Sequence, residues 1–598
     1  MSTESAIRPG PLWRRVAVVG LIVADLAILS KVWWMTGRGL DLTDEGMYLN
    51  WMTSPWDWPW ASTQFAFFFH PLWILAGQDL VLVRRYTVLL LLLVGVVFFA
   101  AVLRRSFALP RGRSLAWGAL LTPTVLLGVG SQSVFFTPSY NLLGLIGLLV
   151  SGAALVGILL PAPAATRRPK LGLWPWVVLG VGGVICFASR PTAGALLLVL
   201  VLIALVVAGR WSWRGLGVAA GVALTAFLIM ALLIDGGPVR FLERVLEGLE
   251  LYSIQTQRGA LDAVINTFTY DQRWERSDIL WGVFIGVALA AAVFLRRAGR
   301  GAPHGLATLA ALSGIAAALV TAVGFNPLHG RVGRSVTVAF FLWVGPALAL
   351  LTGRSRLGRG SRAVIGALWL LPFVYAFGTH YSTVALAGSA AFCWLGASVA
   401  ALGSARNGRA ALPVVGGLWL LVTALCLNAA AGAPPRQEPL EAQDRALDLA
   451  GHGQIYLSPD MSRYLEAVAV GVAAEGFVPG TPVLDLTGES PGLIYHLQAT
   501  ATADSWVIGR YPGSRDRLAL ELNLHTECSV IGDSWLLVSP GGVRRIDPEV
   551  LGEVGLMFPD DYRLVVGETS PERSGGYAVE VWAPRSGAGL TDRCLAQR

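Results

Sequence analysis

The sequence predicts a polytopic α-helical membrane protein of about thirteen transmembrane helices, followed by a C-terminal extracytoplasmic domain of α/β or α+β type. Three observations predict it. Of the 598 residues, 54% are hydrophobic and 14% charged, where soluble domains carry about a quarter charged. The apolar residues fall into runs of roughly 17 to 22, each long enough to cross a hydrocarbon core about 30 Å thick. Lipid offers backbone groups no partners, so such runs are expected to be helices. Arginines cluster in alternate short loops, as the positive-inside rule requires of cytoplasmic loops. The net charge of +8 therefore reports topology, and a nucleic-acid partner, which a basic chain can signal, is not expected.

Taken in order, Met1 to Gly10 leads through Arg14 and Arg15 into an apolar run without a small-residue cleavage pattern, so the first span is expected to stay. Those arginines set the N-terminus inside, and Val16 to Trp34 crosses outward, with Trp33 and Trp34 in the outer aromatic belt. Asp25 lies in mid-span, where an ionisable group is either functional or hydrogen-bonded to a neighbouring helix. Residues 35–80 form a first outer loop. Its Trp51, Trp56, Trp58, Trp60 and Phe65 to Phe69 suit short helices lying in the interface. Tyr86 to Leu103 returns to Arg104, Arg105, Arg111 and Arg113. Leu115 to Gly130 and Leu142 to Leu160 flank an outer turn, SQSVFFTPSYN, and lead to inner Arg167, Arg168 and Lys170.

Trp174 to Ala188 and Thr192 to Ala208 form the next pair, joined outside by Ser189, Arg190 and Pro191. Leu216 to Ile234 exits into a second outer loop, residues 235–278, where Arg240, Glu243, Arg244 and Glu247 have helical spacing. The later spans are Ile279 to Leu295, Gly305 to Val323, Val336 to Leu351, Val364 to Phe377, Val384 to Leu402 and Leu412 to Ala431. Their inner loops carry Arg296, Arg297 and Arg300, then Arg354 to Arg362, then Arg406 and Arg409. Their outer turns are FNPLHGRVGRS and Thr379-His380-Tyr381. An odd number of spans puts the N-terminus in the cytoplasm of a plasma or inner membrane, and both long loops and the C-terminus on the other face.

Residues 1–432 thus read as the membrane domain and 433–598 as a soluble one of about 165 residues. Within the latter, Gln454 to Leu457, Pro482 to Leu486, Ser534 to Val538 and Arg563 to Val566 read as strands and Met461 to Ala474 as a helix. Its two cysteines, Cys528 and Cys594, are expected to pair outside the cell. Cys186, Cys393 and Cys426 lie in or near spans and read as small apolar residues.

The stretch Leu40 to Asn50, LDLTDEGMYLN, carries Asp41, Asp44 and Glu45 out of the first span. It reads either as a solvated loop or as a source of general-base chemistry. Adjacent charges beside a membrane surface are costly unless used or paired, and a carboxylate there can deprotonate an acceptor hydroxyl or amine. No Cys/His spacing suggests zinc, and no GxxxxGK[ST] run is present to bind a nucleotide.

An Asp-Glu pair in the first outer loop, followed by an interfacial helix, resembles the GT-C superfamily of polyprenyl-phosphate-dependent glycosyltransferases, in particular the branch of protein O-mannosyltransferases and lipid A aminoarabinose transferases. His70-Pro71-Leu72 is similar to that branch's Lys/His-Pro-Pro-Leu element, with the second proline missing. Arg84 and Arg85 open the second span as an arginine does in the family. The motif likeness covers Val16 to about Arg105, and the later spans match in architecture only. The resemblance implies a GT-C-like fold and transfer of a sugar from a polyprenyl-phosphate donor, with inversion at the anomeric carbon. It implies Asp44 as general base with Glu45 as its partner, and His70 and Arg85 near the donor phosphate.

A phosphate at the outer interface needs cations, and arginine grips phosphate with two prongs. Arg190, Arg240, Arg244, His329, Arg331 and Arg334 are the outer-side candidates, each otherwise an interfacial anchor. Arg331 and Arg334 lead, because Gly330 and Gly333 let their turn approach a ligand closely. Tyr140 at an outer span end is a sugar contact or an anchor. Asp41 and Asp44 offer two ligands for a divalent metal, too few from one loop to define a site. No cofactor besides the lipid-linked donor is expected. The acceptor is a protein, a lipid or a polysaccharide. The alternative is a transporter or flippase of lipid-linked saccharides, which places ionisable groups near the midplane; here they gather at the outer surface.

Overall fold

The computed structural model describes residues 12–58, 60–130, 136–160, 172–257, 302–324, 357–379, 383–404, 408–586 and 589–598. The spans expected at Ile279 to Leu295 and Val336 to Leu351, the turn with His329, Arg331 and Arg334, and His380 and Tyr381 lie outside the described residues.

The N-terminal part is helical. Helix α1 (Leu12–Met35) leads into the acidic turn, and α2 (Asp44–Thr53) and α3 (Phe65–Leu75) form a short hairpin beside it. Helix α4 (Leu80–Phe107) begins six residues before the expected Tyr86, because the Asp79 carboxylate caps it, accepting the Leu82 N–H at 2.8 Å. The span expected at Leu115 to Gly130 is broken. Helix α5 (Arg111–Leu121) gives way to a 3₁₀ segment, Thr122–Leu126, containing Pro123, which has no N–H for a continuous ladder.

Then come α6 (Tyr140–Leu159), α7 (Trp174–Ser189), α8 (Pro191–Ala208), α9 (Trp213–Asp235), α10 (Pro238–Thr256), α11 (Ala302–Val323), α12 (Arg359–Ala376), α13 (Phe392–Gly403) and α14 (Gly408–Gly432). Among the described residues six helices are long and apolar enough to cross a membrane: Arg15–Met35, Leu80–Phe107, Tyr140–Leu159, Pro191–Ala208, Trp213–Asp235 and Ala411–Gly432. Phe65–Leu75, Trp174–Ser189, Leu312–Val323 and Phe392–Gly403 are shorter apolar helices. Helix α1 packs on α11 and α14, and α6 packs on α4, α7 and α12.

Residues after α14 build an α/β region. Strands β1 (Arg445–Asp448) and β2 (Gln454–Leu457) form an antiparallel hairpin. Strands β3 (Pro482–Asp485), β4 (Thr500–Ala501), β5 (Trp535–Val538), β6 (Tyr562–Thr569) and β7 (Ala578–Pro584) form a mixed sheet in the order β4-β3-β5-β7-β6, in which β3 runs parallel to β4 and β5. Helices α15 (Pro459–Ala474), α16 (Pro491–His496), α17 (Ser514–Leu524), α18 (Cys528–Asp533) and α19 (Leu590–Gln597) flank it. Cys528 and Cys594 form a disulfide tying α18 to α19.

Side chains on a strand alternate between faces, and here the alternation divides two cores. Leu484, Leu536 and Val538 join a core with Leu518 and Leu522 of α17. Val483, Leu537, Val579 and Val581 belong to a core that continues through Leu465 and Val468 into the helices of the N-terminal part. Backbone hydrogen bonds stitch the two parts together. The Tyr456 N–H donates to Gly37 O and the Gly39 N–H to Tyr456 O, both at 3.0 Å, and the Leu80 N–H donates to His452 O at 3.0 Å. The α/β region therefore sits on the end of the bundle that carries the acidic turn.

Candidate functional site

Asp44 and Glu45 are adjacent in sequence and lead different lives. Successive helical residues point about 100° apart, so the first turn of α2 turns one carboxylate inward and leaves the other at the edge. Glu45 is fully buried. One of its oxygens meets Arg84 Nη2 at 2.5 Å and accepts the Thr137 hydroxyl, and the other accepts the Asp41 N–H at 3.0 Å. Every guanidinium nitrogen of Arg84 donates: Nε to Thr137 Oγ1 at 3.0 Å, Nη1 to Thr36 O and Arg38 O at 3.1 and 3.2 Å, and Nη2 also to Gly39 O at 2.8 Å. This ion pair with its satisfied hydrogen bonds locks the turn between α1 and α2.

Asp41 is also buried. It accepts the Thr43 hydroxyl at 2.9 Å and the Glu45 N–H at 3.3 Å. Its third partner is Arg436, from the segment just after α14, whose Nε and Nη2 reach the two carboxylate oxygens at 2.7 and 2.8 Å. The same Nη2 donates to Asp44 at 2.6 Å. Asp44 keeps 13% of its side-chain surface open, against none for Glu45. Burial pushes the Asp44 carboxyl above its ordinary range; Arg436 opposes that rise, the charge of Asp41 adds to it, and Arg544 opposes it again. Burial also works against the charge of Arg436, but Asp41 and Asp44 more than offset it and hold the guanidinium cationic.

A second turn faces the first. Leu484-Asp485-Leu486-Thr487-Gly488-Glu489 repeats the pattern of Leu40-Asp41-Leu42-Thr43-Asp44-Glu45. Each aspartate accepts its own threonine hydroxyl two residues on, Thr487 to Asp485 at 2.5 Å matching Thr43 to Asp41. The turns touch where both lack side chains. A Cβ on Gly46 would lie 2.3 Å from the Gly492 nitrogen, and the Gly492 N–H donates to Leu42 O at 2.7 Å. Asn50 of α2 donates to Pro491 O at 2.9 Å. On the second turn Glu489 pairs with Arg544 at 3.5 Å.

The other expected site residues divide. Arg85 does not join the acidic cluster: its guanidinium lies 4.2 Å from the centre of the Trp33 ring, because the helix phase that brings Arg84 inward turns Arg85 away. His70 of α3 has Nδ1 2.8 Å from Met52 O, and its ring stands edge-on to Trp56 at 5.4 Å. Tyr140 and Arg190 come together, with the guanidinium 4.9 Å from the Tyr140 ring centre. Arg190 donates to Tyr375 O at 2.7 Å and to Asn141 Oδ1. Tyr140 packs edge-on to Tyr48 of α2 at 5.6 Å, which connects Arg190 to the helix bearing Asp44. Arg244 is occupied by Asp235 at 3.0 Å and Gln64 at 2.6 Å. Arg240 lines a cleft of about 270 Å³ with Trp56, Trp58 and Glu243. Among the described residues no three His, Cys, Asp or Glu side chains gather as metal ligands, and Asp41 and Asp44 both engage Arg436.

Sequence reasoning missed Arg436, Arg544, Thr137 and the repeated turn. Two signals were present. An arginine directly after a span expected to run outward departs from the positive-inside pattern, and the Leu-Asp-Leu-Thr-x-Glu repeat is visible by inspection.

No family model matches the chain, and no curated protein matches it. Among solved structures it is similar to the crystal structure of ArnT from Cupriavidus metallidurans in the apo state, at 14% identity and a TM-score of 0.40, over 95% of this chain and 98% of that one. It is similar also to the crystal structure of ArnT from the same organism bound to undecaprenyl phosphate, at 15% identity and a TM-score of 0.40 over the same shares.

Proposed function

We propose that the chain is a membrane glycosyltransferase of GT-C type that moves a sugar from a polyprenyl-phosphate donor to an acceptor on the extracytoplasmic face, with Asp44 as general base. The observation that carries this reading is the contrast within the acidic turn. Glu45 and Asp41 are sealed by hydrogen bonds, while Asp44 keeps open surface, holds one arginine, and has a proton affinity raised by burial. A base is most effective when its pKa approaches the working pH.

In the reaction the acceptor's hydroxyl or amine attacks the anomeric carbon as Asp44 takes its proton. The bond from that carbon to the phosphate oxygen breaks, and polyprenyl phosphate leaves with the electron pair. Attack opposite the leaving group inverts the centre. Glu45 acts as a positioning residue through Arg84. No step is routed through a divalent ion.

A lipid donor suits the rest of the site. Among the described residues an apolar cavity of about 560 Å³ lies between α7, α8 and α9 and includes Pro191, the neighbour of Arg190. Its walls suit an isoprenoid chain, and its link to a cation is through Pro191, which follows Arg190 in the chain. Purified chain in nanodiscs, incubated with labelled polyprenyl-phosphate sugars and candidate hydroxyl or amine acceptors, is expected to move label onto an acceptor and release polyprenyl phosphate. Asp44→Asn is expected to lower the rate by about a hundredfold or more with the melting temperature nearly unchanged. Full activity in that variant would overturn the assignment. Movement of lipid-linked sugar across vesicles without transfer would favour a transporter.

A further inference from the structure

Two carboxylates share Arg436. Asp41 takes two of its hydrogen bonds and Asp44 one, so a single guanidinium answers two negative charges and one charge is left over. Glu45 and Arg84 neutralise each other and add nothing to this balance. His70 on α3 is directed to the Met52 carbonyl. A further cation reaches the site through the second turn, which meets the acidic one at the Gly492 N–H to Leu42 O bond of 2.7 Å: Arg544, paired with Glu489 of that turn, acts on Asp44 electrostatically. Its own partner, Glu489, is held loosely at 3.5 Å, whereas Arg436 holds Asp44 at 2.6 Å.

The backbone at Arg544 is held firmly. Its carbonyl accepts the Gly509 N–H at 2.8 Å, and the neighbouring Ile546 N–H donates to Leu486 O at 2.8 Å. Gly488, at φ +65°, lies so close that a Cβ there would come within 2.1 Å of the Arg544 carbonyl oxygen. The Gly488 carbonyl in turn accepts the Trp506 indole N–H at 2.7 Å. The Asp485 carboxylate braces the turn from inside, accepting the Thr487 and Ser490 N–H groups at 2.8 and 3.1 Å. The backbone that carries the charge is thus set before the substrate arrives, which limits reorganisation during reaction to the side chain.

We propose that the turn Asp485–Gly492 and Arg544 belong to the reaction site itself: docked on the acidic turn, they bring a second guanidinium to Asp44 and complete the charge balance that Arg436 leaves open. Arg544 is then a positioning residue for the proton transfer, and the α/β region is a working part of the centre. This inference rests on the reading of Asp44 as the base.

The test uses the full chain in nanodiscs and two readouts. One is the pH profile of sugar transfer. The other needs no activity: the pH midpoint at which Asp44 is modified by a carbodiimide and an amine, followed by peptide mass spectrometry. Loss of a nearby positive charge favours the protonated acid, so Arg544→Gln is expected to move the acid limb of the profile and the modification midpoint up by about half a pH unit or more. Arg544→Lys is expected to restore most of the shift. Glu489→Gln frees Arg544 from its competitor and is expected to move both downward. A merely structural Arg544 would not produce opposite signs in the two variants. An unmoved Asp44 midpoint in Arg544→Gln would overturn the proposal even if the wild-type chain transfers sugar. A wild-type chain that transfers no sugar while the midpoints shift would instead count against the glycosyltransferase reading alone.

Discussion

At the scale of single residues, the site turns on which member of each adjacent pair faces inward. Asp44 and Glu45 read as one acidic pair in sequence, and Arg84 and Arg85 as one basic pair, yet the helix phase gives each member a different task. Composition and spacing located both pairs; only packing against Thr36, Gly39 and Thr137 decided between their members. The consequence is measurable. Removing one partner of a buried, hydrogen-bonded ion pair costs about 3–5 kcal/mol, so Arg84→Met and Glu45→Leu are each expected to lower the melting temperature strongly. Arg85→Ala removes only a cation–π contact with Trp33 and is expected to cost about 1 kcal/mol or less. Equal losses from Arg84 and Arg85 variants in thermal melts would contradict this division.

At the scale of elements, strong periodic runs were legible and breaks were not. The expected helix at Met461 to Ala474 and the strand at Gln454 to Leu457 match α15 and β2 closely. Strand β7 was missed although its exposed-buried alternation is plain once paired. Strand β1 offers one buried residue in four, too little pattern to read. Pro123 sits inside an apolar run whose length alone suggested a continuous span.

The paired turns are the element that composition could least reveal, since their value lies in contact across the fold. Gly46→Ala would drive a methyl into the Gly492 backbone, with an expected cost of about 1–3 kcal/mol and a matching loss of transfer, because the turn bearing Asp44 must shift. Loss of the Cys528–Cys594 disulfide, which closes a loop with a sequence separation of 66, is expected to lower stability by about 2–4 kcal/mol. That loss should appear in melts run with and without reductant.

At the scale of the whole molecule, the α/β region and the helices share a core, and their contact surface holds titratable groups. His496 of α16 is buried beside Leu465 and His452, and burial pushes its pKa down from 6.5 to about 4. The unfolded chain takes up this proton first. The stabilisation from a neutral His496 is therefore present above about pH 6.5 and lost as pH falls towards 4. Melting temperature is expected to decline through that window, and His496→Phe is expected to flatten the decline; an unchanged slope in the variant would exclude His496 as its source.

The bond between Arg436 and Asp41 spans a sequence separation of 395 residues. A ribosome adding about 5–20 residues per second needs roughly 20 to 80 seconds to make that interval. Through all of it, the acidic turn lacks its arginine. The centre thus comes into being only when the last long helix is in place, so a truncated or stalled chain carries Asp44 without the partner that orients it.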